Sequence, residues 1–150
     1  MEAKRRVLAV ASFGGHWTQL LRLRSMLDRF DTTYVSTDKD VRKGFAGNYF
    51  RVVDCARDKP WRFVLLGAQC VALLLWKRPH VVLTTGAAPG LAFVILGKIL
   101  GARTVWIDSI ANAEVMSLSG KLAKRWCDLW MTQWEDVAQD TGAKFEGQVL

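Results

Sequence analysis

The chain is poor in the residues that staple a protein or hold a metal. Cysteine occurs three times in 150 residues, at Cys55, Cys70 and Cys127. An odd number at unrelated spacings, with no CxxC pair and no Cys/His cluster, argues against a disulfide framework and a zinc site and favours a reducing compartment. No tightly bound metal is expected. No apolar run reaches the roughly 18 to 20 residues that cross a bilayer. The opening MEAKRRVLAVASFGG is basic and then apolar, but the run is short and enters a glycine turn, so it reads as a strand and not as a secretory signal. Repeats, low-complexity tracts and linkers are missing, and a single domain over 1–150 is the expectation. Acidic residues are the scarcer sign, 14 against 21 basic, for a net charge of +7. Such an excess suits phosphates or acidic lipids, or serves as a solubilising surface. Nucleic acid is a poor fit, because the basic residues are scattered among helices without an aromatic–basic recognition motif.

What is present is an alternation of strand and helix patterns in a chain that is 51% hydrophobic. Strands are expected over 6–11, in TTYVST ending at Thr37, and in YFRVVD, HVVLTT, ARTVWIDS and DLWMTQ. Helices are expected over 18–29, near 61–78, and in LAFVILGKIL and LSGKLAKRWC. Strands alternating with helices predict an α/β fold, a Rossmann-like parallel sheet with right-handed crossovers. Six strands are used up by about Gln133. The remainder, WEDVAQDTGAKFEGQVL, is too short for a second domain and looks unable to bury itself alone.

In such sheets ligands bind beyond the carboxyl ends of the strands. Three loops fall there: SFGGHW, TTGAAPG and DSIANAE. In the first, Gly14 and Gly15 permit close backbone approach, and the helix start behind them suits a phosphate. His16 stands at that helix start as a candidate general base, or as a solvent-facing turn residue. The dinucleotide fingerprint GxGxxG is missing: positions 12, 13 and 17 are Ser, Phe and Trp. A nucleotide-binding oxidoreductase, with Asp38 or Asp40 on a ribose, therefore stays a secondary reading. The second loop offers Thr84, Thr85 and Gly86, then Pro89 and Gly90 opening the next helix. The third offers Asp108, Ser109, Asn112 and Glu114; Asp108 either meets a ligand or caps its own turn. His80, at the amino end of a strand, reads as structural.

The segment WRFVLLGAQCVALLLWKR, residues 61–78, is too short to span a membrane. Trp61 and Arg62 flank one end, and Trp76, Lys77 and Arg78 the other, a pattern found at membrane interfaces. A helix buried against the sheet is the competing reading. Trp126, Trp130 and Trp134 recur at spacing four, with core packing the default.

FGGHWTQLLRL, TTGAAPGLAFVILGKILGARTVWIDS and SLSGKLAKRWCDLWMTQWE together resemble the PssD-type acceptor subunits of bacterial exopolysaccharide glycosyltransferases. These are related to the acceptor subunit of the eukaryotic two-part dolichol-linked N-acetylglucosaminyltransferase and, more distantly, to the N-terminal half of MurG. The resemblance implies one half of a GT-B glycosyltransferase split over two polypeptides. It implies transfer of a sugar, glucuronic acid among the candidates, from a UDP-sugar held mainly by a separate PssE-type donor subunit. The implied acceptor is a lipid-diphosphate-linked saccharide at the cytoplasmic face of the plasma membrane, where the chain would be peripheral, and no cofactor is tightly bound. Carried over by position, Gly14, Gly15, Thr85, Gly86, Pro89, Gly90 and Ser109 handle the acceptor or its diphosphate, with His16 first and Asp108 second as catalytic groups. Phe13 stands where relatives have glycine, and Asp108 where they have glutamate. Trp134, Phe145, Val149 and Leu150, in the tail of about 134–150, are expected to dock the donor subunit, and the chain alone is expected to be inactive.

Overall fold

The computed structural model describes residues 4–41, 45–55 and 59–149. Its strands are β1 (Arg6–Ala11), β2 (Asp31–Ser36), β3 (Asn48–Arg51), β4 (Val81–Thr84), β5 (Arg103–Ile107), β6 (Leu129–Thr132) and β7 (Lys144–Phe145). Between them run α1 (Gly15–Arg22), α2 (Arg24–Leu27), α3 (Trp61–Lys77), α4 (Ala87–Ile99), α5 (Leu118–Ala123) and α6 (Glu135–Thr141). One sheet contains all seven strands in the order β3-β2-β1-β4-β5-β6-β7, every neighbouring pair parallel.

Parallel strands are covered on both faces, so their sequences are continuously apolar. In β1, Leu8, Ala9, Val10 and Ala11 are all fully buried. Val7, Ala9 and Ala11 pack with Trp17, Leu20 and Leu27 from α1 and α2. Leu8 and Val10 pack on the other side with Leu66, Cys70, Leu73 and Leu74 of α3 and with Phe93 and Val94 of α4. The period of two in the strand and of three to four in the helices thus meet in two layers.

Three expectations need adjustment. The helix over 18–29 starts earlier, at Gly15, because the left-handed Gly14 (φ 88°) already turns the chain; it then divides at Leu23 into α1 and α2. GAAPG is less a loop than the first turn of α4, which begins at Ala87. The segment after Gln133 does bury part of itself: α6 and β7 form, β7 pairs with β6, and Val137 and Ala143 pack with Met116. The sheet has seven strands and not six.

The α4–β4 contact requires glycine at 90. A β-carbon there would lie 2.1 Å from Thr84 Oγ1 and 3.0 Å from Thr84 Cβ. Thr84 is itself fully buried and cannot swing away. Gly90→Ala is therefore expected to cost about 1–3 kcal/mol, the usual scale of overpacking. Urea unfolding checks this as a lower midpoint at unchanged slope; an unchanged midpoint would mean that α4 slides freely on the sheet.

Candidate functional site

The strand order reverses between β1 and β4: from β1 the chain proceeds to β2 on one side, and from β3 it crosses back to β4 on the other. A crevice opens at such a switch point, outside the carboxyl ends of the strands. His16, in the first turn of α1, occupies it. Its Nδ1 lies 2.9 Å from the Thr85 carbonyl oxygen, and Thr85 Oγ1 donates back to the His16 carbonyl at 2.7 Å. A carbonyl only accepts, so Nδ1 carries the hydrogen; in the neutral ring Nε2 is left with its lone pair. Gly86 forms the floor under this ring. A β-carbon on Gly86 would come within 2.8 Å of His16 Cε1 and Nδ1, and its φ of 128° is one that only glycine adopts freely. Ala87 follows with φ 70°, a left-handed conformation held by a residue that carries a β-carbon.

Asp108 follows the carboxyl end of β5 and is held by its own strand and loop. Its residue is 1% exposed. Oδ1 accepts from Trp106 Nε1 and Ser117 Oγ, and Oδ2 from Asn112 Nδ2 and the Ser117 amide, at 2.5–3.0 Å. Four donors occupy the carboxylate and fold the 109–117 loop around it; Ser117 Oγ also caps α5 by accepting from Gly120 N. This geometry fits the turn-capping alternative, with each carboxylate oxygen accepting two hydrogen bonds.

The sequence reading missed the two residues that join the loops, Gln19 and Gln133. Both are buried, 5% and 1% exposed. Gln19 Nε2 donates to Ser109 Oγ, and its Oε1 accepts from Ile110 N and from Gln133 Nε2. Gln133 Nε2 also donates to the Asp108 carbonyl, and its Oε1 accepts from Val149 N at 2.7 Å. The signal was available: a glutamine beside Trp17 and Leu20 on a core-facing helix needs a buried partner.

The other expected site residues divide. Gly14 and Gly15 frame the crevice at the α1 N-terminus, which has no side-chain cap. Thr85 and Gly86 meet His16 as described, and Ser109 is drawn in through Gln19. Pro89 and Gly90 are both buried in the first turn of α4, and Gly90 packs on Thr84 of β4. Trp134 is half-buried: its Nε1 donates to the Ile110 carbonyl at 2.7 Å and its ring packs on Met116, Val137 and Ala143. Phe145 is exposed, and Val149 lines a groove of about 340 Å³ floored by Leu83, Val105, Ile107, Leu129 and Met131. Leu150 lies outside the described residues. Trp61, Trp76 and Arg78 are exposed, while Arg62 and Lys77 are half-buried, Lys77 Nζ lying 4.1 Å from the Trp76 ring centre. Burial pushes the Cys70 and Cys127 thiols up to about 12, so neither is a nucleophile near neutral pH.

A parallel sheet of this order, with its polar loops gathered at the switch point, defines a Rossmann-like domain of the kind that forms half of a GT-B glycosyltransferase. Comparison with solved structures agrees. The chain is similar to MurG of Acinetobacter baumannii, with a TM-score of 0.76 and 12% identity over 89% of this chain and 43% of that one. It is also similar to UDP-N-acetylglucosamine 2-epimerase of Rickettsia bellii, with a TM-score of 0.72 and 15% identity over 94% of this chain and 43% of that one. At such identities the likeness is one of fold. Residues 51–149 match the family described as oligosaccharide biosynthesis protein Alg14 like, and the chain belongs to that family. It is 38% identical over 69 residues to the UDP-N-acetylglucosamine transferase subunit ALG14 of Eremothecium gossypii, across 41% of this chain and 30% of that protein. Against the corresponding subunit of Schizosaccharomyces pombe it is 32% identical over 82 residues, 49% of this chain and 38% of that protein. The match thus spans well under half the length of these curated relatives, and the oxidoreductase alternative gains no support.

Asp108→Asn replaces one acceptor oxygen by a donor in a ring of four donors. It is expected to lower stability by about 1–3 kcal/mol, the cost of an unsatisfied buried group. Chemical denaturation reads this directly. Unaltered stability with lost activity would instead return Asp108 to a direct chemical role.

Proposed function

We propose that this chain is the acceptor-binding subunit of a two-part inverting glycosyltransferase. In this reading it presents a polyprenyl-diphosphate-linked saccharide to a UDP-sugar held mainly by a separate donor subunit, in exopolysaccharide or capsule synthesis at the cytoplasmic face of the plasma membrane. The single observation that carries the reading is the His16–Thr85 clasp at the switch point. With Nδ1 committed to a carbonyl, the neutral ring offers Nε2 as base. The acceptor hydroxyl loses its proton to Nε2 as its oxygen bonds the anomeric carbon, and the bond from that carbon to UDP breaks on the opposite face. The uncapped N-terminus of α1, at Gly14 and Gly15, offers amide N–H groups to the acceptor diphosphate. Phe13, 67% exposed, adds an apolar surface at the crevice mouth.

The α3 helix supports attachment to a membrane surface. Leu66, Cys70, Leu73 and Leu74 face the core, as the buried reading required. Trp61, Val64, Leu75 and Trp76 are 58%, 76%, 55% and 64% exposed, as the interfacial reading required. The helix is compatible with both readings, one face each. Among the described residues no helix is long and apolar enough to cross a membrane. Two features support a missing half: relatives named as transferase subunits, and a fold that covers 43% of MurG. Phe145 and the groove beside Val149 are the proposed seat of the donor subunit. The donor sugar is drawn from two candidates, glucuronic acid by the PssD resemblance and N-acetylglucosamine by the curated relatives' names.

The test is to assemble the chain with its donor subunit on membranes and supply a panel of UDP-sugars. His16→Ala is expected to cut turnover by about 100- to 10,000-fold, the range of general acid–base catalysis, with the fold intact. Near-wild-type turnover of that variant, or transfer by the purified chain alone, would overturn the reading. Separately, Val64→Glu with Ala68→Glu, both on exposed positions of α3, is expected to move the protein from the membrane fraction to the supernatant without lowering its unfolding midpoint. Retention on membranes would remove α3 as the contact.

A further inference from the structure

At the opposite edge of the sheet, beyond the amino ends of the strands, lies a cavity of about 740 Å³ that the proposed transfer reaction does not use. Among the described residues its polar lining is Arg5, Arg78, His80 and Arg103, with no aspartate or glutamate. Among the described residues none of these arginines is in a salt bridge. Arg78 is the α3 C-cap, with φ 44°, a left-handed position usually given to glycine. His80 is fixed by its neighbour: the Arg6 amide donates to Nδ1 at 3.0 Å, so in the neutral ring the hydrogen sits on Nε2 and is available to donate. The cavity therefore presents three guanidinium forks and a ring N–H with no counter-charge among the described residues, a set that matches phosphate oxygens.

Its rim is apolar. Leu75 and Leu100 line it at 55% and 48% exposure, and their chain neighbours Trp76 and Ile99 are 64% and 62% exposed. This rim continues into the outward face of α3, whose 17 residues run about 25 Å from the carboxyl edge of the sheet to its amino edge.

We propose that this cavity binds the phosphodiester headgroup of an anionic membrane phospholipid, with the acyl chains lying along the rim. The inference rests on the membrane reading of α3 and adds a site to it. Trp61 anchors one end of the helix beside the catalytic edge, and the lipid phosphate anchors the other. Held at both ends, α3 lies flat in the interface and keeps the His16 crevice at headgroup level. A free phosphate ion would satisfy the arginines but has no use for the apolar rim, and this favours the lipid.

The experiment is sedimentation of the whole chain with phosphatidylcholine vesicles, with and without phosphatidylglycerol, at constant ionic strength. Phosphatidylglycerol is expected to raise vesicle affinity. Arg5→Gln with Arg78→Gln and Arg103→Gln is expected to remove that increment, about fivefold per arginine, while binding to phosphatidylcholine alone persists. Arg78→Gln by itself, on an exposed side chain, should lose about fivefold and covers the case in which the triple variant does not fold. A charge-matched variant outside the cavity, Arg22→Gln with Arg29→Gln and Lys39→Gln, should keep most of the increment. Equal loss in both triple variants would overturn the site in favour of diffuse charge. Displacement of the increment by inorganic phosphate would assign the cavity to a soluble anion and overturn the lipid. Wild-type binding that ignores phosphatidylglycerol would overturn the headgroup site alone; no binding to either vesicle would overturn the membrane reading of α3 as well.

Discussion

Two reciprocal hydrogen bonds between His16 and Thr85 hold together the loops that follow β1 and β4, and much of the crevice follows from them. They fix which ring nitrogen carries hydrogen, and so which one faces outward. They bring the imidazole down on residue 86, which must then be glycine for two separate reasons, the missing β-carbon and the φ of 128°. The following left-handed Ala87 is strain stored beside the site, on the order of 1–3 kcal/mol for such a conformation. Strain of this kind persists only where the surroundings over-determine it. Here the buried Thr84 does so, its Oγ1 accepting from Gly86 N at 3.1 Å.

The α3 helix shows why amphipathicity need not mean apolar against polar. Its buried residues sit at spacings of four, three and one, and this is an ordinary core-facing stripe. Its other face carries valine, leucine and tryptophan where a helix on a water-facing sheet would carry charge. Such a contiguous outward patch is retained in native proteins chiefly where something covers it. The cations at its ends lie on rings: Arg62 over Trp61 at 5.6 Å, and Lys77 between Trp76 and Phe50. Tryptophan with a cation at each helix end is suited to a boundary where hydrocarbon meets charge.

How much of this was legible follows from what each signal measures. Period and composition measure burial, and the central strands were read closely: β1 was placed over its full length, because buried parallel strands are apolar throughout. The short edge strand β7 was missed because its two residues, Lys144 and Phe145, carry no periodicity. The glycine turns are legible in the sequence, but what each glycine lies against is not. Gly86 lies against the His16 ring, whereas Gly90 lies against Thr84, and the sequence alone does not separate close approach to a ligand or site residue from close approach to a strand. Asp108 posed the same ambiguity. Its four donors come from Trp106, two positions before it, and from Asn112 and Ser117, four and nine positions after it, and only the fold brings them together.

The buried glutamines extend this dependence to the end of the described chain. Gln133 stands at the carboxyl end of β6 with its two ends committed in opposite directions: its amide to Gln19 and to the Asp108 carbonyl, its oxygen to the Val149 amide. Each bond is short, and the groups are buried or half-buried, so an unmet partner on either side would be costly. The segment around Val149 is therefore one side chain away from the loops that shape the crevice. It also forms one wall of the apolar groove on the α1 side of the sheet, where Leu129 and Met131 are covered only in part. A protein seated in that groove would press on the same segment that completes the Gln133 network. Seat and site are then mechanically continuous. On the proposed two-part reading, this continuity is what would let a docked donor subunit meet the crevice in a fixed geometry.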